Sequence, residues 1–153
     1  MKCQAKIIMA FMMLAVFIAG CTSNSDINNS ISSKAEVSSA SVDKIEIYHF
    51  HATQQCYSCK TVGAYAEETV NTYFSEEVKS GKVVFAHING ELPENRELVM
   101  KYGATGSSLW IGTYTSDEKF NAEQNVNVWY KINNKEEYMD YLKGVIEQKL
   151  SGE

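Results

Sequence analysis

Lys44 to Lys60 reads KIEIYHFHATQQCYSCK. Its first eight residues alternate, with Ile45, Ile47, His49 and His51 on one face and Glu46, Tyr48 and Phe50 on the other, which predicts a first strand. A polar loop, Ala52 to Gln55, follows it. Between Cys56 and Ser80, Val62, Ala66, Val70, Tyr73, Phe74 and Val78 recur at helical spacing, and Gly81 is placed to end the helix. Cys56-Tyr57-Ser58-Cys59 therefore stands where a strand hands over to a helix.

Working outward, Lys82 to Asn89 (KVVFAHIN) is rich in β-branched and aromatic residues and predicts a second strand buried on both faces. Pro93, at a first-turn position, opens a short helix that stops at Gly103. Leu109 to Tyr114 predicts a third strand, and a fourth falls either near Lys119 to Asn121 or in Asn125 to Tyr130. Asn134 and Glu137 have capping-box spacing, and Met139, Leu142, Val145, Ile146 and Leu150 give the last helix one apolar face. Strands alternating with helices predict an α/β domain, a central sheet flanked by helices, with the chemistry at the end of the first strand.

The chain has 153 residues, enough for one domain, with Lys+Arg 14 against Asp+Glu 19. No basic stripe runs along it, which excludes the electrostatic footprint of a nucleic-acid binder. Lys2 and Lys6 precede the uncharged run Ile7 to Gly20, which is shorter than the roughly 20 residues a spanning helix needs and reads as a signal peptide. Its end, Ile18-Ala19-Gly20-Cys21, resembles a prokaryotic lipobox, which would make Cys21 the lipidated first mature residue and remove Cys3. Losing Lys2 and Lys6 leaves 12 basic against 19 acidic residues, a net charge of -7, so attachment to an anionic membrane would depend on the lipid. Residues 22–43 are dominated by Ser and Asn, too polar to offset the entropy of ordering, and predict a disordered tether. The expected organisation is a leader over 1–20, a lipidated cysteine with its tether over 21–43, and the domain over 44–153.

The first turn of a helix, with its free N–H groups and positive dipole end, favours a thiolate over a thiol. Cys56 is then the exposed nucleophile and Cys59, one turn later, the resolving thiol of a dithiol/disulfide cycle, with Lys60 adding a nearby positive charge. Two other uses of the pair stay open. A purely structural disulfide would close a very small loop and stabilise little. A zinc site needs further ligands, which only histidines could supply once Cys21 is lipidated; His51 lies close to the motif, whereas His87 shares a strand face with Val83 and Phe85 and reads as core. Cys56, Cys59 and His51 together would suit a soft ion, copper(I) or zinc, or a trivalent arsenical. Glu67-Glu68 and Glu76-Glu77 read as a solvated helix face. No Gly-rich phosphate loop or Ser/His/Asp nucleophile motif is present, and the dithiol chemistry calls for no cofactor.

The segment KIEIYHFHATQQCYSCK resembles the strand, short loop and Cys-x-x-Cys-Lys of the thioredoxin-like family, and Gly103 to Ile111 falls where those proteins enter their next strand. More closely, YHFHATQQCYSCKTV, TYFSEEVKSGKVVFAHING, the PEN at Pro93 and EEYMDYLKGVIEQKL resemble small thioredoxin-like proteins of the ArsF-type nitrophenyl compound nitroreductase subunit family, over about residues 44 to 150. The resemblance implies a thioredoxin-like sheet, thiol-disulfide exchange with a protein dithiol or disulfide partner, and Cys56 and Cys59 as the reacting pair. With the lipobox, it implies an anchored extracytoplasmic lipoprotein of a prokaryote. Two departures bear on the site. The family's cis-proline before the third central strand is missing, and Ser107 and Ser108 occupy that stretch. The family's buried acid beneath the dithiol is also missing, and His49 or Phe50 stands there. His49 could take the proton from Cys59, or be a hydrogen-bonded core histidine.

Overall fold

A computed structural model describes residues 41–152; the expected leader, the lipidation site Cys21 and nearly all of the tether lie outside them. Four strands form one sheet: β1 (Val42–His51), β2 (Val83–Asn89), β3 (Ser108–Thr115) and β4 (Phe120–Gln124). Their order is β2-β1-β3-β4, with β1 parallel to β2, β3 antiparallel to β1, and β4 antiparallel to β3. The parallel pair needs a crossover, which α1 (Tyr57–Tyr73) and α2 (Ser75–Ser80) supply; α3 (Arg96–Tyr102) joins β2 to β3, and α4 (Lys135–Ser151) closes the domain. This is the expected α/β thioredoxin-like arrangement. No helix among the described residues is long and apolar enough to cross a membrane.

The alternation in β1 separates two cores. Ile45 and Ile47 pack with Val62, Ala66 and Val70 of α1 and with Tyr138, Leu142 and Ile146 of α4. Tyr48 and Phe50, on the other face, pack with Ile88, Tyr102 and Ala104. Glu46 lies on that second face, buried, and accepts hydrogen bonds from Lys44 Nζ (2.7 Å), Tyr102 Oη (2.8 Å) and Tyr114 Oη (2.7 Å). Burial opposes its ionisation, but the Lys44 and tyrosine hydrogen bonds outweigh it and hold the carboxyl below its ordinary pKa. Gly112 on β3 makes room for this network, since a Cβ there would come 2.1 Å from Tyr102 Oη.

Several expectations need correcting. β1 begins at Val42, two residues before Lys44. The long helix to Ser80 breaks at Phe74, whose backbone (φ -127°, ψ 28°) leaves the helical region. The turn buries the Phe74 ring and leaves Tyr73 and Val78 exposed, so two of the six apolar positions are not core. β2 is an edge strand, and most of it is only half-buried because only β1 covers its flank. Of the two places expected for the fourth strand, the one near Lys119 to Asn121 holds, as Phe120–Gln124, while Val126–Tyr130 forms a 3-10 turn. Of the expected capping box on α4, one half forms. Asn134 Oδ1 accepts from Glu137 N (3.2 Å), while the Glu137 carboxylate pairs with Lys131 (2.6 Å).

Candidate active site

β1 ends at His51, and the loop to α1 delivers Cys56 as the N-cap residue. The cap acceptor is the cysteine sulfur: Cys59 N donates to Cys56 Sγ at 3.1 Å. Cys56 and Cys59 are joined as a disulfide. Cys56 is exposed, as is Tyr57 beside it, while Cys59 and Ser58 are half-buried. Cys56 is thus the more exposed residue of the pair. Helical N–H groups and the dipole end favour negative charge at Cys56 once the bond is opened.

Beneath the first turns of α1 the three histidines of the chain gather. His49 Nδ1 and His87 Nδ1 are 3.0 Å apart, and the two rings meet edge to face, their centroids separated by 5.2 Å. His51 stacks at a tilt beside His49, with its Nδ1 directed at Ala52 O (2.9 Å). The register explains the meeting, because His49 pairs with His87 across the parallel β1/β2 ladder. His49 is 1% exposed. Burial, then the neighbouring His87 and His51, pushes its pKa down to about 4, so it is neutral at physiological pH. Gly63 of α1 lies directly over it.

Two expectations change here. His87 is not core: its side chain is 39% exposed, and Nε2 lies 3.3 Å from Glu67 Oε2. Glu67 is accordingly no idle solvated residue, although its neighbour Glu68 pairs only with Lys135 (2.5 Å) and Glu76 with Lys79 (2.6 Å). Sequence reasoning missed Glu67 in the site. A signal was present, because Cys59, Gly63 and Glu67 recur every four residues and so share one stripe of α1. His49, His51, Gln55, Lys60, Ala64, Glu67 and His87 line an open groove of about 280 Å³ beside the dithiol.

Ser107 ends the loop before β3 and Ser108 begins that strand, in the stretch where the resembled family carries a proline, and no peptide bond among the described residues is cis. Ser108 Oγ donates to Gly106 O (2.9 Å) and accepts from Trp110 Nε1 (3.0 Å), which ties the loop down locally. Ser107 Oγ is buried without a hydrogen-bond partner. Among the described residues, in this disulfide-bonded form, no three His, Cys, Asp or Glu side chains are arranged to hold a metal ion.

No family model matches the chain, and no curated protein sequence matches it. The solved structures similar to it include a domain of ERdj5 and thioredoxin O2. The crystal structure of the Trx4 domain of ERdj5 is 16% identical, with a TM-score of 0.47, covering 71% of this chain and 81% of that one. Thioredoxin O2 from Arabidopsis thaliana, in its oxidized state, is 15% identical with a TM-score of 0.42, covering 69% and 75%.

Proposed function

We propose that this protein is a thiol-disulfide oxidoreductase acting on a protein partner, with Cys56 as nucleophile and Cys59 as resolving thiol. The observation that carries the reading is the exposed Cys56 at the start of α1, disulfide-bonded to the more shielded Cys59 and capped by its amide. In the reducing direction the Cys56 thiolate attacks one sulfur of a partner disulfide, and the other partner sulfur leaves as a thiolate. Cys59, deprotonated, then attacks Cys56 Sγ, the second partner thiolate leaves, and the two electrons of the dithiol have passed to the partner. The reverse sequence oxidises a partner dithiol, and the reduction potential decides between them.

Titrating the Cys56/Cys59 couple against glutathione buffers measures that potential. Cys56→Ser should abolish exchange, and Cys59→Ser should trap a mixed disulfide. Full activity in Cys56→Ser with loss in Cys59→Ser would reverse the roles. The resemblance of residues 44 to 150 to the ArsF-type proteins supports the same reading at the level of dithiol chemistry.

The lipobox-like Ile18-Ala19-Gly20-Cys21 supports an anchored, extracytoplasmic placement, where a disulfide persists. Cys21→Ser should then remove the protein from the detergent phase, and unchanged partitioning would exclude lipidation there. Binding of a soft metal or arsenical by Cys56, Cys59 and His51 would require the reduced pair, and no observation favours it over exchange.

A further inference from the structure

The hydrogen bonds beneath α1 fix where the histidine hydrogens lie. His49 Nδ1 meets His87, so Nε2 is the nitrogen turned to the Cys59 backbone; it has no partner at ordinary hydrogen-bond distance, and the carbonyl it faces favours a hydrogen on it. Burial keeps the ring neutral, which makes Nδ1 a lone pair. The 3.0 Å contact then places a hydrogen on His87 Nδ1. A neutral His87 has its remaining lone pair on Nε2, and that atom lies 3.3 Å from Glu67 Oε2, which can only accept. Two acceptors face each other at the wall of an open groove, an arrangement that calls for a cation between them.

We infer that His51, His87 and Glu67 bind a divalent metal ion of the zinc class through two imidazole nitrogens and one carboxylate oxygen, with the fourth position left to water. Tetrahedral zinc, with bonds of about 2.0–2.1 Å, holds neighbouring donors roughly 3.3 Å apart, and His87 Nε2 and Glu67 Oε2 already stand at 3.3 Å. His51 supplies the third donor. Its Nδ1 points at Ala52 O, which can only accept, so the hydrogen is there and Nε2 carries the lone pair. Its ring lines the same groove, with its centroid 6.3 Å from that of His87. Two imidazoles on one tetrahedral ion have centroids roughly 5 Å apart, so the His51 ring has about 1 Å to close. As the groove stands the three donors do not converge, and binding has to draw His51 in. Both imidazoles have their other nitrogen tied, His51 to a backbone carbonyl and His87 to His49, as metal-bound histidines do. The buried, neutral His49 then has a task, which is to set the nitrogen that His87 turns to the groove. Lys60 on the rim opposes a cation, but it is exposed and its long side chain can extend into solvent. A hydrogen on His87 Nε2 would also answer Glu67 but would leave the His51 lone pair unused, whereas a metal ion uses all three donors. Neither sulfur takes part, so the site does not depend on the exchange reading.

The test uses the full-length chain with the Cys56–Cys59 disulfide closed and with Cys3 and Cys21 alkylated, so that no thiolate competes. Zinc titrated by calorimetry near neutral pH should bind at one equivalent, and cobalt(II) should give the strong visible absorption of a four-coordinate site. Losing an outer partner of a ligand costs about 10–100-fold in metal affinity, so losing a ligand should cost no less. His51→Asn, His87→Asn and Glu67→Gln should each weaken zinc binding at least about tenfold. Glu67→Gln is near-isosteric at an exposed position, so its loss of binding is not a loss of fold. In the wild-type chain zinc should also shift the ring signals of His51 and His87 in NMR spectra, a readout that needs no variant. Failure to take up one equivalent, a loss of less than tenfold in Glu67→Gln, or His51 signals that zinc does not move would each overturn the site and leave a proton alone between His87 and Glu67.

Discussion

Gly63 faces His49 across a gap so small that a Cβ would come 2.3 Å from His49 Nδ1, with His87 Cε1 at 2.8 Å. Two effects of Gly63→Ala oppose each other. Alanine favours the helix by about 1 kcal/mol, while overpacking a closed site costs about 1–3 kcal/mol. The His49 ring is sealed between β1 and α1 and cannot swing away, so overpacking wins. We expect a net loss of up to about 2 kcal/mol by urea denaturation of the oxidised chain. Gly144→Ala on α4, with nothing within 4 Å, should instead gain up to about 1 kcal/mol. Equal gains at both positions would show that His49 is loosely held.

The burial of His49 also makes stability depend on pH. Its pKa falls from the ordinary 6.5 to about 4, so between those values the unfolded chain binds a proton that the folded chain refuses. Stability on this account is intact above pH 6.5 and is lost as pH falls toward 4, by on the order of 3 kcal/mol. Urea midpoints between pH 7 and pH 4 should fall more steeply for wild type than for His49→Asn. Parallel curves would count against a neutral buried imidazole.

How far the sequence revealed this site depends on which contacts are local. The alternation of β1 correctly divided Ile45, Ile47 and His49 from Tyr48 and Phe50, because side-chain period and strand geometry are properties of the segment itself. The exposure of His87 depended on β2 lying at the sheet edge, and strand order is not written in an apolar run. The break at Phe74 was hidden for the opposite reason. Tyr73 and Val78 continue the helical pattern beyond the point where burying one ring turns the chain. Glu67 looked like any solvated carboxylate until the placement of α1 beside β2 brought His87 to it.

Glu46 gives a second acid-sensitive element, on the opposite face of the sheet. Tyr102→Phe removes one of its three donors, and a hydrogen bond to a charged group is worth about 1.5–3 kcal/mol. The lowered pKa means that the stabilisation is present above the ordinary carboxyl range and is lost as pH falls through the folded value. The cost of Tyr102→Phe should therefore be largest at neutral pH and shrink in acid. A cost independent of pH would show that Tyr102 acts through packing alone.

In the reduced protein, Cys56 should alkylate at lower pH than a free thiol does, because the Cys59 amide and the α1 dipole favour its thiolate. Cys59 should react far more slowly. Iodoacetamide labelling against pH, read by peptide mass, separates the two. Equal rates at both positions would remove the assigned asymmetry.

The atom that caps α1 is also the atom that reacts. A thermodynamic cycle then makes helix capping and electron affinity one quantity. Any free energy by which the Cys59 amide favours a Cys56 thiolate over a disulfide sulfur holds the protein in its reduced form and raises the reduction potential, by about 30 mV for each 1.4 kcal/mol. A change that only adjusts the start of this helix, without touching either sulfur, would move the protein along the scale from reductant to oxidant.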